Sequence, residues 1–396
     1  RMLRGSKPGY PIQTMRICLT LAVTLLTFLL SGCRHSGGGS RQSETAGSSD
    51  SISEMSPAYA LGFSVSERPD GVRLVTMRHP ADTNAVPQHF ALIPKGTEPI
   101  DIPDGYTPIH VPVERVVCMT MTQLGAFATL DSYDKVVATS NTQRTRNPEW
   151  LRRLDDGRVS RIGMEGNFDK EIILACDPDV IFISPHRRGG YDGLKNLGIP
   201  LIPFWAFSET TPLGLSEWIK ITGMFIGKEQ KAIEVFHGIE ERYNRLKALA
   251  AGATDRPSVM SGEMRGGTWY VPGGNSFYGK LFRDAGARYF MESDTGTDAT
   301  LMEFEQVYSK GCDADFWRVM NAYHGEFSYD ALEASDARYA DFKAFRNRKV
   351  IYCNLEEVPL YENLPLTPDV LLADMIKAFH PDLLPNHKPV YYHLLQ

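Results

Sequence analysis

A pair of arginines set among glycines is the clearest binding feature of this sequence. Arg187 and Arg188 follow His186 and precede Gly189 and Gly190, directly after an apolar run that predicts a strand. Planar guanidinium groups in such a loop can donate paired hydrogen bonds to carboxylate, catecholate or propionate oxygens. We therefore take His186, Arg187 and Arg188 as candidate ligand contacts. The same residues would also suit an ordinary solvated basic loop, and the sequence leaves both interpretations open.

Aromatic residues stand in comparable positions, just after or within predicted strands in two distant parts of the chain. They are Trp205, Phe207, Trp269 and Tyr270. Their rings could stack on a flat macrocycle or an aryl chelator, although aromatic residues also commonly fill cores. Arginines facing aromatic rings would suit an anionic metal chelate better than a bare ion.

Further candidates follow from the places where predicted strands end. In open α/β sheets, ligands bind beyond the carboxyl ends of the strands. One predicted strand ends at Cys118 and another at Cys353. The candidate contacts after these two strands are Thr120, Met121, Thr122, Glu356 and Tyr361.

The sequence lacks the usual signatures of enzymes. It has no Gly-x-Ser-x-Gly, His-Glu-x-x-His, Walker or Gly-x-Gly-x-x-Gly motif. Its ten histidines are scattered and do not form a zinc or manganese ligand set. We expect no catalytic residue, no resident metal and no cofactor. A metal-dependent hydrolase on a two-lobed α/β scaffold and a sensor or scaffold lipoprotein remain as alternatives.

Composition narrows the class further. The 396 residues are 42% hydrophobic and 23% charged, with a net charge of −6, which is typical of a globular protein. The absence of a long basic run argues against a nucleic-acid partner. Six cysteines are too few for a disulfide scaffold. Buried thiols are favoured over disulfides for Cys118, Cys176, Cys312 and Cys353, whose pairing the sequence does not determine.

The N-terminal region resembles a bacterial lipoprotein leader. A charge-free run over 17–30 is too short for a membrane span of about 20 residues but fits a signal peptide. It ends in Leu-Ser-Gly-Cys, so we predict removal of residues 1–32, from a start at Met2 or Met15, and lipidation of Cys33. The Gly/Ser-rich stretch 33–56 then predicts a flexible tether to the cell membrane.

The pattern of apolar residues divides the remaining chain into four parts. Residues 57–110 predict a small β-rich extension, with a hairpin turn at 69–71. Residues 111–214 and 253–396 each alternate short apolar runs with helical stretches, which predicts an α/β lobe with a parallel sheet. Between them, 215–252 predicts a helical region in which 228–251 forms one helix of about 36 Å.

The two predicted lobes share a local pattern. In each, a glutamate opens a short helix, and a Cys-Asp-x-Asp turn then leads towards a strand. The glutamates are Glu171 and Glu305. Acidic residues favour first helical turns through the helix dipole, so simple helix-start chemistry explains them too. Their equivalence also predicts paired surface features.

Taken in order, several segments resemble the periplasmic substrate-binding proteins of ABC importers for ferric siderophores, haem and cobalamin. They are Gly163–Ile183, the predicted long helix, Pro272–Phe277 and Asp369–Pro381. The likeness covers roughly 113–395 and is closest to the versions found in Bacteroides-like bacteria. No single motif is diagnostic, and the ordered set carries the resemblance.

The resemblance implies two Rossmann-like lobes joined by one long backbone helix, as in class III periplasmic binding proteins, with the ligand between them. It implies capture of a metal chelate and its delivery to an ABC permease in the inner membrane, with Glu171 and Glu305 docking to permease arginines. We expect a periplasmic, lipid-anchored monomer. Iron chelates are favoured by the arginine pair, with cobalamin close behind.

Overall fold

The computed structural model describes residues 54–97, 101–140, 145–164, 166–185 and 190–396. The predicted signal peptide, the predicted lipidation site Cys33 and nearly all of the predicted tether lie outside the described residues, as do His186, Arg187 and Arg188. Within the described ranges, no helix is long and apolar enough to cross a membrane.

The described chain begins with a four-stranded sheet. Its strands are β1 (Phe63–Glu67), β2 (Arg73–Met77), β3 (Gln88–Pro94) and β4 (Tyr106–Val111). They follow the order β1-β2-β3-β4, antiparallel except for the β3–β4 pair. The predicted hairpin is confirmed, because Arg68 donates its N–H to Val72 across a turn in which Gly71 has φ of 80°.

The first lobe contains a five-stranded parallel sheet of order β11-β10-β5-β6-β7 and a small β8–β9 hairpin. Because helices and loops cover both faces, its central strands are apolar throughout rather than alternating. Its strands are β5 (Val116–Cys118), β6 (Val136–Thr139), β7 (Ser160–Arg161), β8 (Gly163–Met164), β9 (Asn167–Phe168), β10 (Val180–Ile183) and β11 (Leu201–Pro203). Its helices are α1 (Met121–Thr129), α2 (Pro148–Asp155) and α3 (Lys170–Ala175).

Three consecutive helices lead from the first lobe to the second. They are α4 (Pro212–Glu217), α5 (Ile219–Ile226) and α6 (Glu229–Ala251). Gly227, at φ of 71°, ends α5 in a left-handed cap. The first half of α6 packs Ile233 and Phe236 into the core of the first lobe, and its second half packs Ile239 and Tyr243 into that of the second lobe. The predicted bridging helix is thereby confirmed.

The second lobe has a sheet of order β15-β12-β17-β18-β19, parallel except for β19, and a separate antiparallel sheet β13-β14-β16. Its strands are β12 (Ser258–Ser261), β13 (Met264–Arg265), β14 (Thr268–Pro272), β15 (Arg288–Tyr289), β16 (Ala299–Met302), β17 (Phe316–Asn321), β18 (Val350–Asn354) and β19 (His393–Leu394). Its helices are α7 (Phe277–Asp284), α8 (Phe304–Gly311), α9 (Tyr329–Ser335), α10 (Lys343–Arg346), α11 (Leu360–Asn363) and α12 (Pro368–Phe379).

The four cysteines of the described chain carry free thiols. Cys118 and Cys353 are buried in the two central sheets, and this burial raises the pKa of each thiol. The predicted α/β architecture of two lobes on one long helix, with a β-rich extension, is confirmed.

Candidate functional site

A narrow cleft lies between the first lobe, the bridging helices and one segment of the second lobe. No charged residue lines it among the described residues. Its cavity volume is about 30 Å³, room for little more than a water molecule, so the walls nearly meet. The lining residues are Thr120, Thr122, Gln123, Ala126, Ser184, Phe204, Ala206, Phe207, Leu215, Trp218, Ile219, Thr222, Leu364, Pro365 and Leu366.

The first lobe supplies the polar part of this cleft, at the carboxyl ends of its strands. β5 ends just before Thr120, whose extended backbone starts α1. The hydroxyls of Thr120 and Thr122 are hydrogen-bonded to each other at 2.9 Å. Ser184 follows β10 at the same edge of the sheet. Parallel strands thus bring three short hydroxyl side chains from two loops to one place.

Gln123 is fixed at the start of α1 by its own side-chain oxygen. Oε1 accepts hydrogen bonds from the backbone N–H groups of Met119, at 2.9 Å, and Thr120, at 3.3 Å. The Thr120 side-chain oxygen in turn accepts from the backbone N–H of Gln123, and the reciprocal pair forms a capping box. The Gln123 side chain is buried, and no described residue accepts a hydrogen bond from its Nε2 group.

The bridging helices form an apolar wall that is tied to the N-terminal extension. Trp218 lines the cleft and donates its indole N–H to Glu209 at 3.0 Å. The Glu209 carboxylate also accepts from the backbone N–H groups of Leu61 and Gly62. Burial raises the pKa of Glu209, although these hydrogen bonds oppose the shift. The chain just before β1 is therefore anchored directly behind the cleft wall.

The second lobe closes the cleft with residues 360–366, which pack along α1. Gly125 permits this approach, since a Cβ atom there would lie 2.7 Å from the carbonyl oxygen of Glu362. The Glu362 carboxylate accepts the backbone N–H of Arg146 at 2.8 Å, and burial raises its pKa. Arg146 also donates to the Glu356 carbonyl and pairs with its carboxylate at 3.7 Å. These contacts join the two lobes.

Two glycine substitutions can test this close contact. Alanine is favoured over glycine inside helices by about 1 kcal/mol, so Gly238→Ala on α6 should stabilise the protein, because only the flexible Arg242 side chain lies near the new methyl group. Gly125→Ala should instead lower the free energy of unfolding, since its Cβ meets backbone of the other lobe. Chemical denaturation measures both. Equal stabilisation by the two substitutions would contradict the contact.

The structure brings only some of the predicted ligand contacts to the cleft. Thr120 and Thr122 line it, and so does Phe207, which is 60% exposed at its mouth. Met121 lies beside them but is buried. Trp205 turns the other way, packing edge-on against His79 of the extension with ring centroids 4.7 Å apart. The 3₁₀ turn over 206–208 explains why residues only two apart face different sides.

Trp205 lines a second, open cavity of about 580 Å³ between the extension and the first lobe. Its other walls come from the extension face at Phe90 and Thr107 and from the region around Tyr191. The predicted interlobe role of Trp205 therefore does not match its position.

The aromatic candidates of the second lobe are not in the cleft either. Trp269 is fully buried in the core, where its indole N–H donates to the Ser261 carbonyl at 3.1 Å. Tyr270 is 49% exposed on the small sheet, paired in register with Leu301. Alternation along β14 accounts for this difference, because successive side chains point to opposite faces.

Glu356 and Tyr361 are also not among the residues that line the cleft. Glu356 forms the interlobe ion pair already described. Tyr361 lies close enough to Arg318 to affect its titration. Burial by itself would lower the pKa of the Arg318 guanidinium. The neighbouring Tyr278, Tyr392 and Tyr361 have the larger, opposite effect, so the pKa is raised. Arg318 stacks 3.8 Å from the Tyr278 ring centroid.

Glu171 and Glu305 occupy equivalent exposed places, each in the first turn of a short helix. The N-cap hydrogen bond of α3 is made by Asp169, and that of α8 by Glu303. Neither glutamate is therefore needed for capping. Glu305 has a single ion pair in the described chain, with Arg338 at 3.5 Å. Both carboxylates are available to an outside partner.

Among the described residues, no three His, Cys, Asp or Glu side chains are grouped so that they could hold a metal ion. The described lining of the cleft contains no His, Cys, Asp or Glu side chain.

Two α/β lobes over a long helix, with a cleft at the strand ends, define the architecture of a bilobal binding protein. A family model described as "Periplasmic binding protein" matches residues 116–356, more than half of the sequence. This chain belongs to the periplasmic binding protein family. The N-terminal extension precedes the matched region.

The chain is similar in sequence to known lipoproteins and in fold to solved structures. Two uncharacterized lipoproteins of Methanocaldococcus jannaschii are 26% and 24% identical over 307 and 324 residues, covering 73% and 78% of this chain and 70% and 80% of theirs. A periplasmic heme binding protein from Pseudomonas aeruginosa superposes with a TM-score of 0.55 at 18% identity, covering 72% of this chain and 98% of its own.

An ABC-type Fe³⁺-hydroxamate transport protein from Saccharomonospora viridis gives a TM-score of 0.52 at 18% identity, covering 68% of this chain and 94% of its own. At these identities the structural likeness establishes the fold.

Sequence reasoning missed several lining residues. Ser184 and Phe204 come directly at strand ends, so the strand-end rule could have found them. Gln123 was signalled by the capping-box spacing from Thr120. Trp218 and 364–366 carried no local signal, since apolar residues in helices usually predict core.

Proposed function

We propose that this protein is the extracytoplasmic receptor of an ABC importer, which captures a metal chelate between its lobes and delivers it to a permease. The chelate would be a ferric siderophore, haem or a corrinoid, and Cys33 would carry the lipid anchor. The observation that carries the proposal is the apolar cleft at the strand ends, within a chain of the periplasmic binding protein family.

The cleft chemistry supports a chelated rather than a bare ion. Its described lining offers hydroxyls and apolar side chains but no carboxylate, imidazole or thiolate ligand. Such walls can bind the organic periphery of a complex. The similar solved structures include a heme binding protein and an Fe³⁺-hydroxamate transport protein, which favours the same class of ligand.

Binding would require part of the interface between the lobes to move. Small-molecule sites usually need several hundred Å³, far more than the closed cleft provides. The segment 360–366 is the movable wall we infer, because it is the part of the second lobe that meets α1 and closes the cleft. Phe207, exposed at the mouth, would then meet the incoming ligand.

A titration tests the proposal. Purified protein is mixed separately with ferrioxamine B, haemin and cyanocobalamin, while tryptophan emission and melting temperature are followed. Since Trp218 lines the cleft, one of these ligands should quench emission saturably and raise the melting temperature. If none changes either signal, the ligand assignment fails.

Bare ions serve as the control in the same experiment. Zn²⁺ or Mn²⁺ alone should leave emission and melting temperature unchanged, because the described chain contains no clustered ligands. Stoichiometric, tight binding of a bare ion would instead favour the metal-dependent hydrolase. The described residues contain no metal-ligand cluster that supports this alternative.

A further inference from the structure

We propose that Gln123 forms a hydrogen-bonding subsite at the base of the cleft, which recognises an uncharged oxygen acceptor on the apolar periphery of the ligand. The proposal rests on the proposed function, since it concerns the same cleft. It assigns a recognition role to one residue and a chemical class to the group that enters.

The geometry separates the two ends of the Gln123 carboxamide. Its oxygen is occupied by the backbone N–H groups of Met119 and Thr120. These bonds fix the amide plane of this cleft-lining residue, and its buried Nε2 group has no acceptor in the described chain. An N–H donor that is buried without a partner is costly, so a ligand oxygen that pairs with it gains affinity.

A second capping box in the other lobe shows what capping alone requires. Gln306 accepts the backbone N–H of Glu303 at 2.9 Å at the start of α8, as Gln123 does at the start of α1. There, however, the residue is exposed, and water can satisfy its amide donor. Glutamate serves equally well at this position of a capping box. Capping therefore explains the Gln123 oxygen but not the buried Nε2 donor.

The surroundings decide which acceptor fits. The lining residues near Gln123 are hydroxyl-bearing or apolar, and none of the described ones carries a charge. An anionic group would lose its hydration there without meeting a cation. A neutral carbonyl oxygen, such as that of an amide, would gain a hydrogen bond at a smaller desolvation cost. Charged parts of the ligand would remain at the mouth of the cleft.

The test replaces Gln123 by an isosteric residue that cannot donate. Gln123→Glu retains an oxygen for the two backbone N–H groups but presents a carboxylate oxygen where Nε2 was. Affinity for ferrioxamine B or cyanocobalamin, whichever the unmodified protein binds, should fall on the order of tenfold or more, the effect of losing one buried hydrogen bond. Binding of haemin alone, whose only oxygens are carboxylates, would overturn the assignment of a neutral acceptor.

Gln306→Glu is the matched control, because it makes the same change at the same capping position outside the cleft. Its affinity should equal that of the unmodified protein. Unchanged binding by Gln123→Glu would overturn the subsite while leaving the receptor function intact. An equal loss in Gln306→Glu would overturn it as well, since a general effect of charge or capping would then explain the result.

A second measurement needs no variant and no metal chelate. The side-chain amide resonances of Gln123 in the unmodified protein are followed by NMR during addition of acetohydroxamic acid. A saturable shift supports the subsite, even if the three chelates fail to bind and the receptor proposal falls. The absence of a shift on adding both the acid and a chelate that binds would overturn the subsite.

Discussion

Replacing both Glu171 and Glu305 by lysine is expected to abolish uptake of the bound chelate by cells, while the purified protein binds that chelate with unchanged affinity. Both carboxylates are exposed, and neither contributes a helix cap or lines the cleft. The double reversal raises the net charge by four units. It would turn the attraction to permease arginines that we propose for these glutamates into repulsion. Uptake of radiolabelled chelate and a binding titration measure the two effects.

The matched control for this double reversal is Glu234→Lys with Glu241→Lys. Both of these glutamates are exposed on α6, so the net charge changes equally at another surface. Uptake should persist in that variant. If the Glu171 and Glu305 variant imports normally, these glutamates are not docking residues; if it loses affinity for the chelate, they act on the cleft instead.

Replacing Glu217 by alanine is expected to lower the free energy of unfolding by about 3–5 kcal/mol, the cost of removing one partner of a buried ion pair. Its fully buried carboxylate accepts hydrogen bonds from the backbone N–H groups of Ala58, Tyr59 and Ala60 at 2.8–2.9 Å. It also pairs with the buried Lys220 ammonium at 2.8 Å. The substitution would leave all four donors without this acceptor.

Chemical denaturation measures this loss, with two comparison variants. Glu217→Ala combined with Lys220→Met should lose less stability than Glu217→Ala alone, because no buried ammonium remains unpaired. Glu149→Ala removes a carboxylate from a surface cluster and should cost at most about 1 kcal/mol. A cost below about 1 kcal/mol for Glu217→Ala would show that the buried pair contributes little.

The hydrogen bonds of Glu217 also show how the N-terminal extension is attached to the rest of the protein, which composition could not indicate. The sequence predicted a β-rich extension without a visible role. In the structure, Glu217 and Glu209 bind the chain over 58–62 on the helices behind the cleft. The extension is thus joined to the bridging region by buried hydrogen bonds between residues about 150 positions apart.

Local patterns were sufficient for the elements themselves. The repeated apolar spacing over 228–251 predicted α6, which the structure begins at Glu229, and the turn at 69–71 predicted the first hairpin. Alternating short strands and helices predicted two α/β lobes. These features depend on interactions between residues a few positions apart, which hydrophobic period, turn chemistry and capping residues encode directly.

The identity of the cleft residues depended on longer-range contacts. The sequence put Trp205 and Phe207 in one site, yet a single 3₁₀ turn separates them. It likewise could not tell which face of β14 is core, so Trp269 was predicted at the ligand site. The Glu356 carbonyl accepts a hydrogen bond from Arg146, which is 210 residues away in the chain.

By itself, then, the sequence determined the lobes, the long helix and the loops in which a ligand site had to lie. Only the tertiary structure decided which side chains in those loops face one another. The physical reason is that a strand or turn offers two faces of similar composition, and the choice between them is made by packing against segments far away in the chain.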